Sequence, residues 1–81
     1  MLHALHTLRE GQCAVVAALS SAEHIRRRLR DLGLIEGTAI QCLQKSRTGD
    51  PTAYLIRGTV IALRTADAAQ IWVREASDPW D

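Results

Sequence analysis

Apolar positions along this chain follow two periods. From 12 to 19, Cys13, Val15, Ala17 and Leu19 alternate with Ala14, Val16 and Ala18. Both faces are apolar, as in a strand covered on both sides. Residues 38–45, 52–57, 59–63 and 70–74 read as four more strands. The turn formers of 46–51, with Gly49-Asp50-Pro51 at their centre, separate the second strand from the third, and Gly58 separates the third from the fourth. One helix interrupts this series. Ile25, Leu29 and Leu32 fall at i, i+4 and i+7, a narrow apolar stripe. Ser20-Ser21-Ala22-Glu23 has the form of a capping box, in which the Ser20 hydroxyl accepts from the third helical N–H and the Glu23 carboxylate reaches back to the cap N–H. The helix is expected to run to about Leu32, where Gly33 can take the left-handed conformation that closes it. Leu34 can then fold back on the last turn, and Glu36-Gly37 makes a turn.

The remaining segments are less regular. Leu2, Leu5 and Leu8 recur every third residue, either as one helical turn or as an irregular lead-in that Gly11 breaks. Thr65 is a plausible cap for a short helical turn over 66–69 before the last strand. Residues 75–81 are polar, contain Pro79 and Trp80, and read as an acidic tail. Five short strands and one helix in 81 residues predict a mainly β domain, a small barrel whose closure removes exposed sheet edges. Its expected core is Leu29, Leu32, Leu34, Ile40, Ile56, Leu63, Ile71 and Val73. The domain is placed at 1–74 and the tail at 75–81.

Composition adds limits. The formal charge is +1, yet residues 1–74 hold ten Lys/Arg against six Asp/Glu, or +4, and residues 75–81 hold three acids and no base, or −3. A mildly basic body is masked by an acidic end. Hydrophobic content of 47% is ample for one core. Cys13 and Cys42 lie in apolar runs and are expected as buried free thiols. No signal peptide opens the chain and no run approaches the ~20 apolar residues of a membrane helix, so a cytoplasmic protein is expected.

An ordered set of residues resembles a known family. Gly11 is followed by Arg28-Leu29-x-x-Leu32-Gly33-Leu34-x-x-Gly37-Thr38-x-Ile40, then Gly49-Asp50-Pro51, Tyr54-x-Ile56-x-Gly58, Ile61-Ala62-Leu63-Arg64 and Ala68-x-x-Ile71-x-Val73. Over residues 5–74 this pattern is similar to the FeoA family, SH3-like barrels associated with bacterial ferrous-iron uptake. The resemblance implies a cytosolic, non-enzymatic accessory protein acting with the permease FeoB, which carries a G-protein domain. The same fold occurs as the C-terminal domain of repressors of the diphtheria-toxin-repressor type. No DNA-binding or metal-binding domain is seen before it here, which favours the free-standing accessory. A module that docks on such a repressor and a transition-metal carrier are the alternatives. The tail and His3-x-x-His6 lie outside the family pattern.

Candidate chemistry is sparse. Arg26, Arg27, Arg28 and Arg30 form the one dense charge cluster. With Leu29 inward, Arg27 faces solvent while Arg26 and Arg28 flank the stripe. The cluster is either a solvated face whose stems cover apolar rim or a docking patch for an acidic surface. Arg26, Arg27 and Arg30 are its candidate contacts. Leu43, Leu55 and Trp72 point away from the core if Ile40, Cys42, Tyr54, Ile56, Ile71 and Val73 point inward. They are expected to be exposed and to form a partner or self-association surface. Nucleic-acid binding is not expected, because acids offset the arginines and few aromatics offer stacking. Polyproline binding is not expected either: Phe is absent, and one Tyr and two Trp do not line a groove. His3 and His6 can share a helical face, but no carboxylate set completes a site, Glu10 being nearest; no metal site and no cofactor are expected. Ser20 and Ser21 are better explained as caps than as nucleophiles, no phosphate-binding glycine loop precedes a helix, and no catalytic residues are assigned.

Overall fold

The computed structural model describes residues 1–76. In chain order the elements are β1 (Leu2–Ala4), a 3-10 turn (Leu5–Thr7), β2 (Cys13–Leu19), α1 (Glu23–Asp31), β3 (Ala39–Lys45), β4 (Thr52–Ile56), β5 (Thr59–Leu63), α2 (Thr65–Ala68) and β6 (Ile71–Glu75). All strands join one antiparallel sheet in the order β1-β6-β2-β3-β4-β5. There are six strands rather than five. The extra strand, β1, pairs Leu2, His3 and Ala4 with Arg74, Val73 and Trp72. The three-residue leucine spacing that suggests a helical turn spans this strand and the 3-10 turn after it, and Leu5 and Leu8 are both buried. The last strand reaches Glu75, and the Ala76 N–H donates to the Cys13 carbonyl. Trp80 and the rest of the acidic tail lie outside the described residues.

Helix α1 begins without the expected capping box. Ala22 holds the N-cap position and no side chain caps the helix. The Ser20 hydroxyl is used elsewhere. It donates to Gln70 Oε1 at 2.9 Å and accepts from the Trp72 indole N–H at 3.0 Å, which ties the end of β2 to β6. Glu23 instead lies 3.8 Å from Arg27, one turn on. The C-terminus follows expectation. Gly33 has φ +102, a conformation that a side chain disfavours. Its N–H bonds the Arg30 carbonyl, and the Leu34 N–H bonds the Leu29 carbonyl at 3.0 Å, the paired bonds of a Schellman stop. Leu34 is thereby folded into the core, completely buried.

The core is made by Leu5, Val16, Leu29, Leu34, Ile40, Ile56, Ile71, Val73 and their neighbours, with Ile25, Leu19 and Ile61 packed at its margin. Seven of the eight expected core residues are buried. Leu32 is the exception: it is the C-cap of α1 and is 44% exposed. The helix ends at Asp31, so position 32 lies past the stripe's last full turn and sits on the rim. Cys13 and Cys42 are buried free thiols. Tyr54 is the largest fully buried side chain and faces Cys42 directly across β3 and β4. Burial, reinforced by charge on Cys42, pushes the Tyr54 phenol up to about 12, and burial also raises the Cys42 thiol. The Asp50 carboxylate accepts from the Thr65 N–H, fifteen residues on, at 2.8 Å. That contact fixes the start of α2, which begins at Thr65 with Arg64 as N-cap, so Thr65 is not itself the cap.

Candidate functional site

The arginine cluster divides when the helix is placed on the sheet. Arg26 and Arg30 are one turn apart and line one cleft of about 410 Å³, together with Ala18, Leu19, Ile35 and Glu36. Arg27 is exposed beside Glu23, on a different side of the helix. An exposed i,i+4 pair of this kind is worth ~0.3–0.5 kcal/mol. Arg26 is half-buried, and its Nε is shut away from solvent without a hydrogen-bond partner. Among the described residues neither Arg26 nor Arg30 forms an ion pair. Both arginines therefore line the cleft without an ion pair, and the Glu36 carboxylate lines it with them.

Ile35 is the apolar element that a helical wheel misses. It follows the Schellman stop, is 42% exposed, and is delivered to the arginine cleft by the reversal at Gly33. Only the geometry of that stop puts positions 26, 30 and 35 together.

The three apolar candidates are half-buried rather than exposed, and the sheet does not align them. Leu55 stands opposite Gln41 on one side and Val60 on the other. It also lines a small apolar cleft of about 210 Å³ with Ala39, Ile40 and Gly58. Leu43 sits in the irregular step of β3 between Cys42 and Gln44. Trp72 faces Ala4 and Ala18, two strands away from Leu43 in the sheet order and three from Leu55. Its indole is committed to Ser20. Trp72 pairs with Ala18, which lines the arginine cleft, whereas Leu55 belongs to the opposite half of the sheet.

The histidines also separate. His3 is in β1, 3.8 Å from Glu75, and His6 is in the 3-10 turn, so they share no helical face. His24 is exposed on α1. Glu75, and not Glu10, is the carboxylate next to His3; Glu10 accepts from the Lys45 N–H. Among the described residues, no three His, Cys, Asp or Glu side chains converge on a point where they would hold a metal ion. No helix among them is long and apolar enough to cross a membrane.

Comparison with known proteins places this architecture. The solution structure of FeoA from Chlorobium tepidum is 32% identical, with a TM-score of 0.87 over 94% of this chain and 73% of that one. FeoA from Stenotrophomonas maltophilia, solved with zinc and described as a prokaryotic SH3 domain protein and candidate ferrous-iron transport activating factor, is 29% identical. Its TM-score is 0.78 over 91% of this chain and 89% of that one. A manganese-dependent transcriptional repressor shares the fold alone, at 20% identity and TM-score 0.83, over 93% of this chain and 42% of the repressor. No curated protein matches the sequence. The FeoA domain model matches residues 3–75, from β1 to the end of β6, and the chain belongs to the FeoA domain family, with its SH3-like fold.

Proposed function

We propose that this protein is a non-enzymatic accessory of bacterial ferrous-iron transport, acting in the cytoplasm by contact with the cytosolic side of a FeoB-type permease. Membership in the FeoA domain family carries the reading. The relative described as a candidate transport activating factor supports it, as does the cleft of Arg26, Arg30 and Ile35. Two arginines without counter-ions among the described residues, beside an exposed apolar side chain, suit an acidic protein surface that also offers an apolar contact. Arg27 adds charge at the periphery, where it alters encounter rate and salt dependence more than the lifetime of the complex. Leu43, Leu55 and Trp72 would enlarge the surface on two separate sides.

Affinity purification of the tagged chain from its own cells tests the proposal. Recovery of a membrane permease with a G-protein domain is expected. Recovery of a DNA-binding repressor in its place would favour the second reading, which the shared fold of the manganese-dependent repressor keeps in view.

A metal-carrier role predicts a different result. Anaerobic calorimetry with ferrous ion is expected to show no submicromolar site, since the nearest imidazole–carboxylate pair, His3 and Glu75, is 3.8 Å apart and lacks a third ligand among the described residues. Submicromolar affinity would make the carrier the better account.

A further inference from the structure

Strand β5 ends the sheet, and its outer edge has no partner among the described residues. The expected closure of the barrel does not cover it. Its five residues, Thr59-Val60-Ile61-Ala62-Leu63, contain no charge and no proline, and they pair with β4 in unbroken register without a bulge. Natural sheets protect an edge with such devices. Here none is present, and Val60 is 62% exposed. An edge left regular, apolar and unpaired is a template for another strand.

The ground beside it is shaped for an occupant. A groove of about 260 Å³ separates β5 from α1. Ile61, Leu63 and the exposed Leu32 supply its apolar lining, with Arg28 and Arg64 at its rim and Asp67 as the one carboxylate there. Arg57 stands in the turn that leads into β5. None of these three arginines is ion-paired among the described residues. A second copy related by a two-fold at Ile61 would bring Arg64 of one chain beside the Arg57 turn of the other, a like-charge approach that disfavours it. Carboxylates on an incoming strand would meet the arginines instead. We infer that β5 receives an extended acidic segment of a partner protein, which adds as a seventh strand with its alternate apolar side chains in the α1–β5 groove. This inference rests on the contact reading above and adds a second surface, separate from the Arg26–Arg30 cleft, and the extended form of what it receives.

The test uses the whole chain, labelled with nitrogen-15, and two synthetic probes. One is the peptide Glu-Val-Asp-Ile-Glu-Val-Asp, the other Lys-Val-Lys-Ile-Lys-Val-Lys, both blocked at their ends. The acidic peptide is expected to shift and protect from exchange the β5 amides from Val60 to Leu63. Arg64→Glu, on an exposed side chain, should weaken this about tenfold, and added salt should weaken it as well. Equal response to the basic peptide, shifts confined to the Arg26–Arg30 cleft, or no response would each overturn strand addition. So would β5 shifts that follow protein concentration without peptide, which would assign the edge to a second copy. Capture of the permease by Val60→Lys separates the two levels. If the variant still captures it while the peptide leaves β5 unmoved, the contact reading stands and the strand-addition inference falls.

Discussion

Replacing Leu29 by alanine is expected to destabilise the domain by about 2–5 kcal/mol, the largest effect of any single change considered. Leu29 is 4% exposed and is the one buried side chain of α1. It anchors the helix to the cluster containing Leu34, Ile40 and Ile56. Truncation removes apolar burial and leaves a cavity, because the sheet beneath cannot collapse into the space. A domain of this size has roughly 4–12 kcal/mol in total, so a large part of the fold's margin is lost. The midpoint of thermal unfolding should fall by roughly 10–30 °C. The backbone stop at Gly33 uses the Leu29 carbonyl and is untouched, so the variant tests side-chain packing alone. A denaturation midpoint unchanged in this variant would contradict the placement of α1 on the core.

The second expected result concerns alkaline pH. Tyr54 is 1% exposed, and its phenol is pushed up to about 12 by burial and by charge on Cys42. In the unfolded chain the phenol ionises near pH 10. Its folded pKa is the higher of the two, so between these values the folded state binds more protons. The contribution is therefore fully present below about pH 10 and is lost as pH rises toward 12, with unfolding favoured by roughly 2–3 kcal/mol at the upper end. Cys42, shifted upward for the same main reason, adds a loss of the same sign above the ordinary thiol range. Chemical denaturation of the wild type and of Tyr54→Phe across this window isolates the phenol. The phenylalanine variant should lose less stability than the wild type as pH rises. Parallel curves would show that Tyr54 keeps an ordinary pKa and is not buried as described.

Much of this fold is legible in the chain because most strands are announced locally. Val16, Ile40, Ile56 and Val73 occupy inward positions of period two, and Gly33 marks the helix end by the conformation only glycine adopts easily. The misreadings come from partners far away in sequence. Leu2–Ala4 becomes a strand because Trp72–Arg74 lies beside it, and three residues are too few to show a period alone. Ser20 has the right neighbour for a cap, yet Gln70 and Trp72, about fifty residues on, bind its hydroxyl. The site was half legible. Arg26 and Arg30 are one turn apart in any helix, but their meeting with Ile35 and Ala18 depends on the reversal after α1 and on β2 passing beside it. The edge of β5 was hidden by expecting closure, a property of the whole sheet that no local pattern reports.

Contact between the arginine cleft and a transport partner is the central claim, and a binding measurement with three forms of this protein tests it most directly. Wild type, Arg26→Glu/Arg30→Glu and Arg47→Glu, an exposed charge reversal in the turn between β3 and β4, would be compared for binding to the purified FeoB-type permease in detergent, at low and high salt. The wild type should bind, with affinity falling as salt rises. The double arginine variant should bind at least tenfold more weakly while melting like the wild type, and Arg47→Glu should bind nearly as well as the wild type. Unchanged binding by a folded Arg26→Glu/Arg30→Glu protein, or no binding by the wild type, would contradict the account.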